Sequence, residues 1–186
     1  MTDERQPTVA SICYNWWETE IHSDTGEARI TRARLKRCDN AAEALSVEAV
    51  HRLYHKLKAS GFCQVSQGNE AALAEKLCLI AVTLALVKEN NSRRIAELFG
   101  EGSEQKTHLS ALKFQAIIHE EQPLALLRLL RRALPSIDYR ANIRALAQDL
   151  YFWNERTRID WCFAYYGSRI ETAQDMMPEH TSSTII

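Results

Sequence analysis

The sequence predicts an all-α protein, a compact bundle of roughly eight helices with room for a division into two lobes. Three observations carry that prediction. Apolar residues recur at helical spacing almost throughout, and convincing period-two alternation is absent. Only six glycines and four prolines interrupt 186 residues, so long helices are expected. With 46% hydrophobic and 25% charged residues the composition is that of an ordinary globular chain, long enough for one buried core.

A first helix is expected from about Val9 to His22, with Trp16 and Trp17 near its middle. Ser23-Asp24-Thr25-Gly26 reads as a turn, followed by the segment bearing Arg29 to Arg37. Ser46 suits an N-cap for a helix ending at Gly61, a residue favoured just past a helix C-terminus. Asn69 is placed to cap the next helix, through Ala74, Leu77, Ile80, Leu84 and Val87. Its run Leu77–Val87, broken only by Thr83, is too short to cross a bilayer and reads as a buried core helix. The polar, Gly- and Asn-bearing stretch from Lys88 to Thr107 predicts one short helix at Arg93–Phe99.

Three helices then follow closely: Leu109–His119, Pro123–Leu134 with proline in its favoured first turn, and one capped by Asp138 that continues to Trp153. A last helix, Glu155–Tyr166, is expected to close at Gly167. The expected organisation is one all-α domain over 1–170, with lobes at about 8–90 and 107–170 joined by 91–106. Residues 171–186 are expected to form a mobile acidic tail.

Charge is unevenly spread. The net −1 hides acidic ends, −4 over residues 1–24 and −3 over 171–186, around a body of +6. Two short stretches hold much of the arginine: Arg32-Ala33-Arg34-Leu35-Lys36-Arg37 and Leu127-Arg128-Leu129-Leu130-Arg131-Arg132. At 100° per residue, Leu126, Leu127, Leu129, Leu130, Ala133 and Leu134 fall on one side of the 123–134 helix. Arg128, Arg131 and Arg132 fall together on the other. The following helix presents Arg140, Arg144 and Gln148 as a polar ridge, and packing the two as an antiparallel hairpin would merge the ridges. Cations gathered on helical faces of a nearly neutral chain point to a polyanion-binding surface.

Catalytic signals are weak. Gly100–Thr107 approaches a phosphate-binding loop, but Gln105 stands where glycine is required and no strand precedes it. His51 and His55 share a helix face without a third ligand, so no metal site is expected. Five widely spaced cysteines without a CxxC pair argue against disulfides and zinc, and suit a reducing cytosol. With no apolar leader after Met1, a soluble cytoplasmic protein without membrane contact is expected. The aromatic residues Trp153, Trp161, Phe163, Tyr165 and Tyr166 sit at helical spacing and read mainly as core. No cofactor and no enzymatic activity are expected.

Several of these segments together resemble one family. Arg32-Ala33-Arg34-Leu35-Lys36-Arg37 is similar to the RAxLRR segment of the CasB family, small subunits of the type I-E CRISPR surveillance complex called Cascade. Leu109–Phe114, Leu126–Ala133, Asp138–Trp153, Trp161 and Tyr165-Tyr166-Gly167 resemble that family's second half in order and spacing, over roughly residues 10–167. The resemblance implies an all-α, non-catalytic subunit, present as two copies among the other Cascade subunits. It also implies sequence-independent contact with crRNA and target DNA, both target and displaced strands, in antiviral defence. Carried over by position, Arg32, Lys36 and Arg37 form a first basic patch, and Lys113, Arg128, Arg131 and Arg132 contribute to a second. With Arg34, Arg140 and Arg144 from the charge pattern, these ten residues are the candidate nucleic-acid-binding set. The helix at 109–119 carries less arginine than the family usually shows, leaving Lys113 largely alone. The alternative is a helical protein–protein adaptor whose arginines meet acidic partners.

Overall fold

The computed structural model describes residues 6–64, 69–103 and 106–175, with 103 and 168–175 described by backbone only. Among these residues the chain forms ten α-helices, eight of them of seven residues or more. Helix α1 (Val9–Trp16) opens on a reciprocal cap: Ser11 N donates to Thr8 Oγ1 at 3.1 Å, and Thr8 N donates to Ser11 Oγ at 2.9 Å. It runs on as a π-helical turn, Trp17–His22. Both adjacent tryptophans are buried, and each indole N–H finds a carbonyl: Trp16 that of Ala49 at 2.7 Å, Trp17 that of Leu84 at 3.0 Å. Two large rings are thus buried without an orphaned donor.

Helix α2 (Gly26–Leu35) is capped by Thr25 and turns Ala28, Thr31 and Leu35 inward, leaving its basic residues outward or at the rim. Short α3 (Ala41–Leu45) and α4 (Glu48–Ala59) follow; Val47, rather than Ser46, occupies the position before α4, which ends ahead of Gly61 at φ +82°. Helix α5 (Glu70–Leu86) is buried on every side from Leu77 to Leu86 and is the axis of the bundle. Asn69 precedes it without donating or accepting a side-chain cap bond. Helices α2, α3, α8 (Pro123–Ala133) and α9 (Ile143–Tyr151) pack around α5, while α1 lies on α9 and α4. Helix α10 (Glu155–Asp175) packs on α6 (Ile95–Gly100) and α7 (Ala111–Ile118). One hydrophobic cluster runs from Val9 to Tyr165.

The strands are minimal. β1 (Glu89–Asn90) pairs in parallel with β4 (Arg140–Ala141), and β2 (Gly102–Ser103) with β3 (Lys106–Thr107) as an antiparallel pair. Within α6, Gly100 is a close-approach residue: a Cβ there would stand 2.1 Å from the Tyr165 carbonyl oxygen.

Three expectations are corrected. The helix expected after Asp138 starts at Ile143, capped by Asn142, whose Oδ1 accepts from Ala145 N at 3.0 Å. A 3₁₀ turn (Leu134–Ile137), then positive φ at both Asp138 and Tyr139, breaks the helical path first. That break also prevents the expected hairpin: α9 turns to α1 and α5, while α8 stays on α5 and α7. The last helix does not close at Gly167 but continues to Asp175, so 171–175 of the expected tail are helical. The remainder, 176–186, lies outside the described residues.

Candidate nucleic-acid interface

The amphipathic pattern of α8 is realised in three dimensions. Leu126, Leu127, Leu130 and Ala133 are buried, whereas Arg128 and Arg132 are exposed and have no partner among the described residues. Arg131 behaves differently. Its Nη2 donates to the Cys38 carbonyl at 2.7 Å and its Nη1 to the Asp39 carboxylate, in the turn just after α2. The two basic stretches, some ninety residues apart in sequence, are therefore drawn together by Arg131 (92 residues from Asp39). Arg37, exposed and without a partner among the described residues, stands beside that junction.

On α2, Arg32 Nη1 donates weakly to the Ile21 carbonyl at 3.4 Å and Arg34 Nη2 to that of Ser46 at 3.5 Å. Lys36 is half-buried, and its amine is pushed below the usual lysine range by burial, then by the nearby cations Arg32 and Lys88. Lys88 was not among the residues singled out by sequence. Its backbone N–H donates to the Tyr139 carbonyl at 2.9 Å, and its Nζ lies 4.3 Å from the centre of the Tyr139 ring. A lone lysine after an apolar helix carries no periodic signal; only the β1–β4 pairing brings it beside α2.

The remaining candidates are placed apart or constrained. Arg140 lies in β4, not on a helical ridge, and its Nε donates to the Ile137 carbonyl at 3.3 Å. Arg144 stacks its guanidinium 4.1 Å from the centre of Tyr14 on α1. Tyr14 in turn donates to Glu18 at 2.5 Å, which raises its phenol above the usual range. Lys113 is exposed on α7, with no hydrogen bond or ion pair to either basic stretch among the described residues.

Four arginines outside the two stretches are neutralised. Arg52 grips Glu20 with two bonds of 2.8 Å and Glu48 with one of 2.7 Å. Arg93 pairs with Glu101, and Arg158 with Glu121 at 2.8 Å. Arg94 meets the buried Asp149 at 3.0 and 3.1 Å. By contrast Arg32, Arg34, Lys36, Arg37, Arg128 and Arg132 have no carboxylate partner among the described residues. Positive charge is left unspent where the two stretches meet.

Features that approached catalytic motifs have structural uses. Gly100 seats against α10, and Gly102, at φ +129°, lies so close to β3 that a Cβ would meet the Lys106 carbonyl at 2.3 Å. His51 bonds the Leu45 carbonyl at 2.7 Å. Among the described residues no three His, Cys, Asp or Glu side chains are grouped to hold a metal, and no helix is long and apolar enough to cross a membrane. Trp16, Trp17, Trp161 and Tyr165 are core, whereas Phe163 is 75% exposed. An apolar groove of about 610 Å³ runs along α10, lined by Ile159, Cys162, Phe163 and Tyr166 with Ile118 of α7.

No curated protein and no solved structure matches the chain. The family model for CRISPR-associated protein Cse2 matches residues 31–166, a span that opens in the first basic stretch and takes in the second. The match covers well over half the sequence and includes both basic stretches. On that ground the chain belongs to the CRISPR-associated Cse2 family, the CasB small subunits of Cascade.

Proposed function

We propose that this subunit binds the sugar–phosphate backbone of nucleic acid without reading its sequence, and so steadies the guide RNA–target DNA R-loop of type I-E Cascade. The observation that carries this reading is the contrast in arginine pairing. Arg52, Arg93, Arg94 and Arg158, outside the two stretches, are matched by carboxylates, whereas Arg32, Arg34, Lys36, Arg37, Arg128 and Arg132 within them have none among the described residues. Exposed, unpaired guanidinium groups gain by neutralising phosphates and releasing counterions, which gives affinity indifferent to base identity. The exchange of DNA duplex for RNA–DNA duplex is close to balanced, so a few backbone contacts can tip it. The subunit contributes no catalytic step. It acts as one of two copies among the other Cascade subunits, in contact with crRNA and both DNA strands.

The test is binding of unrelated single-stranded DNA across a salt series, by the subunit alone and with its partner subunits. Neutralising about four phosphates should give a log K against log salt slope near −3. A flat dependence would contradict the proposal. Incubation with labelled nucleic acid and Mg²⁺ checks the non-catalytic part: cleavage would refute it. The second reading, an adaptor that touches only protein, is favoured by one feature, the exposed apolar groove on α10. It predicts assembly with partner subunits but no shift of DNA by the subunit at low salt.

A further inference from the structure

We propose that the recess walled by His22, Arg32, Lys36 and Lys88 is a seat for a single phosphate of the nucleic-acid backbone, with Lys88 supplying its third cationic wall. This rests on the backbone-binding reading and adds to it a defined position and a residue absent from the sequence pattern.

The recess has a volume of about 510 Å³, completed by Asp24 and Val87. Three separate segments build it. His22 ends the π-helical turn, Arg32 and Lys36 stand one turn apart in the last turn of α2 and at its C-cap, and Lys88 follows α5. Two of the walls are held from behind. The His22 ring stacks on buried Trp17, centroids 4.4 Å apart and planes 14° from parallel. Lys88 is held by its backbone bond to Tyr139 and by the β1–β4 pairing that begins at the next residue. A preorganised site of this kind loses little freedom on binding.

The charge is unbalanced. Three cations face one carboxylate, Asp24, and none of the three forms an ion pair with it or with any other carboxylate among the described residues. Arg32 and Lys88 both depress Lys36, in the same direction as its burial. The three cations therefore repel one another, and an anion between them relieves that repulsion. The chemistry of the walls selects the phosphate rather than the base: apart from the His22 imidazole, already stacked on Trp17, no aromatic ring lines the recess. It has cations for phosphate oxygens and no platform for a base.

The experiment compares Lys88→Gln, Lys88→Arg and the exposed control Lys56→Gln in the full chain. With unrelated single-stranded DNA, Lys88→Gln should make the salt slope shallower by about 0.7, one phosphate's worth, whereas Lys88→Arg and Lys56→Gln should keep it. In phosphate-free chloride buffer the Lys88→Gln protein should melt close to the parent, because relief of the repulsion offsets loss of the Tyr139 ring contact. Inorganic phosphate at constant ionic strength should raise the melting temperature of the parent but not of Lys88→Gln. A steep parental salt dependence that Lys88→Gln leaves unchanged overturns the seat and spares the backbone-binding reading. A flat parental dependence overturns both, and a phosphate shift that survives in Lys88→Gln overturns the assignment of Lys88.

Discussion

Removing Arg128 and Arg132 together isolates the free face of α8. Both are exposed, neither has a partner among the described residues, and they stand one helical turn apart, so their heads can reach separate phosphates. If each neutralises one phosphate of a single strand, the double alanine variant should make the log K against log salt slope shallower by about 1.4. At about 0.1 M salt each lost contact is worth roughly 5-fold, so the pair should weaken binding roughly 25-fold, equally for every DNA sequence. Folding should be almost untouched, within about 0.5 kcal/mol, because exposed residues without partners contribute little to stability. Arg131→Ala is the internal contrast. It removes the bonds to Cys38 and Asp39, and with Asp39 70% exposed the cost should be about 1 kcal/mol of stability. Fluorescence anisotropy with two unrelated oligonucleotides from about 50 to 200 mM salt measures the slopes, and urea melts measure stability. A double variant that folds normally and keeps the parental slope refutes the reasoning.

Three further outcomes follow from the core. Asp149, 7% exposed, accepts from Arg94 and from the Trp161 indole at 2.8 Å, so Asp149→Ala should destabilise by about 3 kcal/mol in urea melts. Burial, against the pull of Trp161 and Arg94, holds its carboxyl above the usual 3.8. The folded state therefore keeps this proton more tightly, and its stabilising contribution is full below 3.8 and lost as pH rises through the folded value. Asp149→Asn should flatten that loss of stability with rising pH, and an unchanged profile would count against it. Among the five cysteines, burial pushes the Cys13 and Cys78 thiols up to about 12, and only Cys162 is more than marginally exposed. A thiol reagent should thus modify one cysteine of the native protein quickly, and rapid loss of two or more would contradict the packing.

Local signals in the sequence reached a long way. Helical periodicity located the main helices, because a face such as Leu126, Leu127, Leu130 and Ala133 repeats at the helical period wherever it packs. The same arithmetic put Arg128 and Arg132 outward, and Pro123 marked the start of α8 by its fixed φ and missing N–H. The order of the basic and aromatic segments was sufficient to indicate the family. Misplaced boundaries sit where the backbone departs from its local preference. Positive φ at Asp138 and Tyr139 carries no composition signal, and Gly167 ends nothing because α10 continues through it.

What lay beyond the sequence is which charges meet. Arg131 belongs to the same helical stripe as its neighbours, yet the packing of α8 against α5 brings it to Asp39 and makes it a strut. Arg144 is carried to Tyr14 by the packing of α9 on α1, and Lys88 is brought to Arg32 and Lys36 by a two-residue strand pairing. Helix formation and amphipathic sidedness depend on neighbours within a turn, so the linear chain determines them. Ion pairing and the convergence of cations depend on contacts between segments up to ninety residues apart, as from Cys38 and Asp39 to Arg131, and only the tertiary packing decides those.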